Sequence, residues 1–94
     1  MKKITEHKTF RKEIKRAQKR GKDLEKLFAI VEQLALGQAV DDKYLPHKLT
    51  GNWKPKWDCH IEPDWLLIYE VATTQVKLVV VKLVRTATHA DLFN

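Results

Sequence analysis

Five side chains that can transfer protons or carry a fixed positive charge stand in or near two short segments of the chain. The segments are CHIEPDW, residues 59–65, and RTATHADLF, residues 85–93. The five side chains are His47, His60, Asp64, Arg85 and His89. Imidazoles suit proton transfer because their unperturbed pKa of about 6.5 lies near physiological pH. The two segments together therefore predict an acid–base site.

The chemistry that such a set favours is cleavage of an RNA phosphodiester without a metal ion. One group removes the proton of the attacking 2′-hydroxyl, another protonates the leaving 5′-oxygen, and a fixed cation stabilises the charged phosphorane. General acid and general base catalysis each contribute roughly 10²–10⁴-fold. The side chains must converge for this, and the sequence leaves open the strand pairing that would bring them together. The alternative is that His60 is a surface histidine of a strand.

A metal site is disfavoured by the alternation expected in residues 57–61. Cys59 and His60 point to opposite faces of a regular strand, so they cannot both bind one metal ion. Cys59 shares its face with Trp57 and Ile61, which predicts that all three belong to the core. A single cysteine also cannot form an internal disulfide. We therefore predict neither a metal nor another cofactor.

Aromatic side chains lie close to the candidate acid and base groups. Trp53, Trp57 and Trp65 fall within thirteen residues, and Phe93 ends the second segment. Stacking on aromatic rings is a common way to hold single-stranded RNA. Trp65 and Phe93 flank the candidate groups and are possible RNA contacts, although a core position is the alternative. Trp53 could equally cover the core.

Hydrophobic periodicity predicts the elements that must position these side chains. In chain order they are a short strand at Ile4, helices over Thr9–Arg20 and Asp23–Leu36, a short strand at Lys48–Leu49, and strands over Trp57–Ile61, Trp65–Val71 and Val76–Val84. Glu62-Pro63-Asp64 has the composition of a turn, and 73–75 is a predicted loop. The result is an α+β domain in which an N-terminal helical hairpin packs on one face of a small antiparallel β-sheet.

Length and composition are those of one small globular domain over residues 1–94. The hydrophobic share is 44%, and the sequence holds no apolar run long enough to span a membrane. The N-terminus lacks the apolar stretch of a secretory signal, so we expect a cytoplasmic protein. Residues 1–26 carry 11 Lys and Arg against 4 acidic residues, whereas the remainder carries 7 against 8. A basic segment of this kind favours a polyanion or an acidic protein as partner, and a solvated helix face is the alternative.

The run HKLTGNWKPKWDCHIEPDWLLIYEV, followed by RTATHADLF, resembles the YafQ branch of the RelE/ParE toxin superfamily. The resemblance implies a RelE-like microbial RNase fold and a bacterial type II toxin that cuts mRNA in the ribosomal A site. It also implies an acidic-tailed antitoxin as partner. Two rival functions remain, which are a ParE-like poison of a DNA topoisomerase and an RNA- or ribosome-binding module without activity.

The resemblance also implies a role for each candidate residue. His89 would be the general acid, and His60, assisted by Asp64, the general base. Arg85 would stabilise the transition state, and His47 would act at the phosphate. Four further positions would contact or place the RNA: Lys54, Lys56, Trp65 and Phe93.

Overall fold

A computed structural model describes residues 2–73 and 79–93 of the chain. The helices and strands are β1 (Lys3–Glu6), α1 (Lys8–Lys19), α2 (Leu24–Ala35), β2 (His47–Lys48), β3 (Trp57–Glu62), β4 (Trp65–Thr73), β5 (Val79–Ala87) and α3 (His89–Phe93). Two single turns of 3-10 helix, Asp42–Tyr44 and Gly51–Trp53, lie in the connector between α2 and β3. This order confirms the predicted α+β class.

Local side-chain chemistry fixes the ends of the helical hairpin. The Nδ1 atom of His7 accepts a hydrogen bond from the backbone N–H of Thr9 at 3.2 Å, and Asp23 caps α2 by accepting from the N–H of Glu25 at 3.1 Å. Gly21 follows α1 with a φ of +81°, a left-handed conformation that glycine adopts without steric cost. These two residues separate α1 from α2, in agreement with the predicted helices over Thr9–Arg20 and Asp23–Leu36.

The five strands form one mixed sheet in the order β1-β5-β4-β3-β2. Strands β2 to β5 pair antiparallel with their neighbours, whereas β1 runs parallel to β5. The prediction of a wholly antiparallel sheet is therefore wrong for the β1–β5 pair. Because these two strands are far apart in the sequence, no tight hairpin fixes their relative direction.

The sheet carries a core on each face. Alternation along β4 sends Leu67 and Tyr69 into the larger cluster, which α1 and α2 cover, and sends Leu66 and Ile68 into a smaller cluster with Leu92 of α3. The helical hairpin thus packs on one face as predicted, while α3 covers part of the other. Among the described residues, no helix has the length and apolar character needed to cross a bilayer.

The predicted core residues of β3 are confirmed. Cys59 is fully buried, and Trp57 and Ile61 pack in the same cluster. Burial raises the pKa of the Cys59 thiol to about 12, so the sulfur stays protonated and behaves as a small apolar group.

Strand β5 extends further toward the C-terminus than the predicted strand Val76–Val84. Arg85 lies within β5 rather than after it, because this end of the strand is held by tertiary hydrogen bonds that apolar periodicity does not reveal. Residues 76–78 of the predicted strand lie outside the described residues. The predicted loop covered residues 73–75. Thr73 is the last residue of β4, and residues 74–75 lie outside the described part of the chain.

Candidate active site

His47 and Asp58 form the first part of the site. They are register partners of the antiparallel strands β2 and β3, and the Nδ1 atom of His47 lies 2.9 Å from Oδ1 of Asp58. The same nitrogen lies 3.1 Å from the carbonyl oxygen of Leu45. Because both neighbours are acceptors, we assign a proton to Nδ1, which leaves Nε2 as the lone-pair nitrogen of the neutral ring.

Asp58 is a buried carboxylate beside an exposed imidazole. Its side chain is 4% exposed, whereas that of His47 is 55% exposed. Burial raises the pKa of Asp58, and the positive charge of His47, His60 and His89 acts in the opposite direction. The three histidines that the sequence places in separate segments thus act electrostatically on one carboxylate. Asp58 was missing from the predicted site, although the alternation of a strand puts residues 58 and 60 on the same face.

His60 lies half-buried near the end of β3, just before an irregularity in the pairing of β3 with β4. Its Nδ1 atom is 3.3 Å from the carbonyl oxygen of Pro63. A carbonyl can only accept, so Nδ1 again carries the proton and Nε2 is the basic nitrogen of the neutral ring. A turn at this place was predicted over Glu62-Pro63-Asp64; in the structure Glu62 still belongs to β3, and the turn is Pro63-Asp64. The carbonyl of Pro63 in this turn fixes the imidazole.

Asp64 joins the two segments in an unexpected way. Its Oδ1 accepts a hydrogen bond from the backbone N–H of His89, the first residue of α3, at 3.1 Å. The same first turn of α3 is capped by Thr88, whose Oγ1 accepts from the N–H of Asp91 at 3.2 Å. The turn after β3 therefore meets the end of β5, which is the convergence that the sequence left open. The carboxylate of Asp64 supports the backbone that presents His89.

An aromatic pair lies beside His89. The rings of His89 and Phe93, one helical turn apart, have centroids 4.9 Å apart, and Trp53 meets Phe93 edge-on at 5.7 Å. Trp53 and Phe93 are both half-buried and pack against the smaller core cluster. Lys54 follows Trp53 in the exposed loop, and Lys56 is half-buried just before β3.

Trp65 does not lie where the predicted RNA contact requires. Only 2% of the residue is exposed, and its indole N–H donates to Oγ1 of Thr86 at 2.9 Å. The hydroxyl of Thr86 in turn donates to the carbonyl oxygen of Leu66 at 2.9 Å. Direct stacking of Trp65 on a base is thus wrong for this structure, because its ring faces are already covered by the core. Trp65 instead stabilises the start of β4 through its hydrogen bond to Thr86 of β5.

Arg85 is held by a carboxylate that the sequence did not indicate. Its Nε and Nη2 atoms donate to the two carboxylate oxygens of Glu13 in α1, at 2.7 and 2.8 Å. These hydrogen bonds raise the pKa of Arg85 above its usual range, so the guanidinium stays charged. The Arg85 side chain is 28% exposed, which leaves part of the cation accessible.

The described residues contain no group of three or more His, Cys, Asp or Glu side chains arranged to hold a metal ion. They form an α+β protein whose imidazoles, carboxylates and guanidinium lie on β2, β3, β5, the turn after β3 and the start of α3. This set of side chains is that of an acid–base site.

Comparison with known proteins identifies the family to which this protein belongs. The model of the family "bacterial toxin of type II toxin-antitoxin system, YafQ" matches residues 2–94. The mRNA interferase toxin YafQ of Escherichia coli strain K12 is 39% identical over 86 residues, which are 90% of this chain and 88% of that protein. This chain therefore belongs to the YafQ family of bacterial toxins.

Solved structures agree with the assignment. The crystal structure of YafQ from E. coli strain BL21(DE3) matches with a TM-score of 0.89 and 35% identity, covering 100% of both chains. The toxin in the crystal structure of the E. coli DinJ–YafQ toxin–antitoxin complex matches with a TM-score of 0.87 and 36% identity, covering 99% of this chain and 98% of that one.

Proposed function

We propose that this chain is the toxin of a type II toxin–antitoxin system and acts as an endoribonuclease that cuts mRNA in the ribosomal A site. The curated relative is an mRNA interferase, and the solved complex pairs the related toxin with an antitoxin. The observation that carries the proposal is the meeting of the two segments, in which Asp64 accepts from the backbone N–H of His89 at 3.1 Å and His47 lies 2.9 Å from Asp58 of the strand that carries His60. Acid, base and fixed cation then all come from this chain.

The reaction begins at the 2′-hydroxyl. Nε2 of His60 takes the 2′-hydroxyl proton, and the 2′-oxygen forms a bond to phosphorus. The bond from phosphorus to the 5′-oxygen breaks, and protonated His89 gives its proton to that oxygen. The products are a 2′,3′-cyclic phosphate and a 5′-hydroxyl. One proton has moved from the 2′-hydroxyl to His60, and another has moved from His89 to the 5′-oxygen. The guanidinium of Arg85 stabilises the negative charge on the phosphorane.

The remaining residues place these groups or the RNA. His47, oriented by Asp58, acts at the phosphate, and Asp64 holds the backbone N–H of His89 instead of assisting His60 directly. Phe93 packs against His89 with the two rings tilted by 51°, and it offers its half-buried ring to a base next to the scissile bond. Lys54 and Lys56 contact the RNA backbone from the loop before β3.

The antitoxin is the second partner in this proposal. The related toxin forms a complex with DinJ, and we propose that a cognate antitoxin with an acidic tail binds this chain. The excess of positive charge in residues 1–26 suits both an acidic tail and ribosomal RNA. The ribosome and the antitoxin would then compete for the same basic residues of the segment 1–26.

The test is cleavage in a translating lysate, with mRNA 3′ ends mapped after adding the protein together with a chelator selective for transition metals. The parent protein should cut within codons, and His89→Ala should cut roughly 10²–10⁴-fold more slowly because the general acid is gone. His7→Asn is the matched control, since it removes an imidazole but leaves a residue that can still cap α1.

Three outcomes would contradict the proposal. Intact mRNA at protein concentrations that stop translation would favour the binding module. Growth inhibition with intact mRNA and damaged DNA would favour the ParE-like function. Undiminished cutting by His89→Ala would refute the assignment of the general acid.

A further inference from the structure

Glu13 is a buried charged residue without a role in the reaction described above. It lies on α1 between Phe10 and Ala17, on the helix face that packs against the sheet, and is 4% exposed. An apolar residue would stabilise this position at no electrostatic cost, whereas a buried carboxylate is destabilising unless it is paired and hydrogen-bonded. A charge at this place therefore requires a specific partner.

The partner of Glu13 is the end of β5. Oε1 accepts from Nε of Arg85 at 2.7 Å and from the backbone N–H of Thr86 at 3.1 Å, while Oε2 accepts from Nη2 of Arg85 at 2.8 Å. Two parallel hydrogen bonds between a carboxylate and a guanidinium fix the plane and the direction of the guanidinium. A guanidinium has five N–H donors, so three point away from Glu13.

We propose that Glu13 is a positioning residue for Arg85, which it holds so that the remaining N–H donors meet the phosphate that is being cut. The inference rests on the proposed function, because it requires Arg85 to contact RNA. An arginine has four rotatable side-chain bonds, and a catalytic cation is effective only when it is oriented before the charge develops. Glu13 supplies that orientation from the opposite side of the guanidinium.

The alternative is that Glu13 only joins α1 to β5. The two roles differ in their coupling to Arg85. A positioning residue acts through the arginine, so its loss has little effect on cleavage once the arginine is gone. A residue that merely stabilises the fold lowers the fraction of active protein whether or not Arg85 is present.

The experiment is a double-mutant cycle on cleavage of mRNA bound to purified ribosomes, with the toxin in excess. Two quantities are measured: the cleavage rate at saturating toxin, and the toxin concentration that gives half of that rate. The proteins are the parent, Glu13→Gln, Arg85→Ala and the double variant, and the thermal unfolding of each is recorded. We expect Glu13→Gln to lower the saturating rate roughly 100-fold and to leave the half-saturating concentration near the parent value. In the Arg85→Ala background the further loss should be less than about 3-fold.

Glu6→Gln is the matched control, because it removes an exposed carboxylate that lies 3.8 Å from Arg11 on the surface of the same region. It should cut like the parent. If Glu13→Gln is unfolded at the assay temperature, Glu13→Asp replaces it. This variant keeps the charge but withdraws the carboxylate from Arg85, and it should show the same selective loss of the saturating rate.

Two results would overturn the inference while leaving the proposed function intact. One is a folded Glu13 variant that cuts at the parent rate. The other is an equal loss with and without Arg85, which would assign Glu13 to the fold alone. A parent protein that does not cut would overturn the proposed function and this inference together.

Discussion

Asp58 combines a cost in stability with a role in the site. The side chain is 4% exposed, and none of the described donors makes an aligned hydrogen bond to its Oδ1. The short contact with His47 is therefore chiefly electrostatic, and burial dominates the raised pKa of Asp58. A buried carboxylate oxygen without an aligned donor destabilises the folded state, whereas the same carboxylate stands against the ring of His47 in the site.

We predict that Asp58→Asn makes the protein more stable and less active. The pKa of Asp58 is raised on folding, so its ionised form lowers stability above that pKa, and the cost disappears as the pH falls toward the unfolded value of about 3.9. At pH 8 the variant should unfold about 4–8 °C higher than the parent, which corresponds to about 1 kcal/mol in a domain of this size. The difference should shrink near pH 4.

Thermal unfolding by circular dichroism at both pH values measures this effect, and mRNA cleavage measures the loss of activity. Asp23→Asn is the matched control, because asparagine also caps helices well and the exposed site carries no such cost. A variant that is less stable than the parent at pH 8 would show that Asp58 stabilises the fold.

The candidate site could be predicted in part from residue types. His60, Asp64 and His89 stand in segments whose composition already indicates proton transfer, and the Asp64–His89 contact joins those segments. Glu13 could not be found in this way, because its partner Arg85 is 72 positions away and only the tertiary structure brings them together. The burial of Trp65 likewise depends on contacts across the sheet.

At the scale of elements, the turn after β3 is tied to the helical hairpin by charge. Glu62 ends β3 and lies 3.2 Å from Nζ of Lys22 and 3.0 Å from Nζ of Lys26. Its hydrogen bonds with Lys26 and then Lys22 lower the pKa of Glu62. Glu62 thus connects the α1–α2 corner with the turn that holds His60 and Asp64.

We predict that Glu62→Gln slightly lowers the melting temperature at pH 7. A lowered carboxylate pKa gives stability that is present above the unfolded pKa of about 4.3 and is lost as the pH falls through the folded value. The difference between variant and parent should therefore shrink as the pH falls below about 4.3 and vanish below the folded pKa, and it should also shrink in 1 M salt because the pairs are partly exposed.

Thermal unfolding across pH and salt checks this prediction, with Glu32→Gln as a control that removes an exposed carboxylate elsewhere on α2. A difference that persists unchanged at acidic pH would mean that Glu62 acts by packing and not by charge.

Elements with strong periodicity were predictable, and short or distant ones were not. The helices α1 and α2 follow from apolar stripes and from the signals at Asp23 and Gly21. The five residues of α3 are too few to show a helical period, and they are held by Thr88 and Asp64. The parallel pairing of β1 with β5 depends on the assembled sheet rather than on local sequence.

For the whole molecule, the main feature is the uneven distribution of charge. The net charge is +6, and the basic excess lies in the first 26 residues. Four lysines of α1 repeat at helical spacing and lie on exposed positions: Lys8, Lys12, Lys15 and Lys19. This stripe faces away from the core, so it is available to a polyanion.

We predict that the double variant Lys12→Gln/Lys19→Gln binds ribosomes more weakly and with less dependence on salt. Each phosphate contact contributes about 0.7–0.9 to the slope of log affinity against log salt, so the slope should fall by roughly 1–2. Sedimentation with ribosomes at several salt concentrations measures it. Lys3→Gln/Lys43→Gln removes two exposed lysines outside the stripe and should change the slope less; equal changes would argue against a specific basic surface.

The central claim is that imidazoles of this chain cut RNA through its own 2′-hydroxyl, and the chemistry of the product ends tests it most directly. mRNA fragments from ribosomes treated with the parent protein should carry a 2′,3′-cyclic phosphate and a 5′-hydroxyl. An mRNA with a single 2′-deoxynucleotide on the 5′ side of the cut should remain intact at that position. Fragments with a 3′-hydroxyl and a 5′-phosphate, or cutting of the deoxy-substituted bond, would contradict the account.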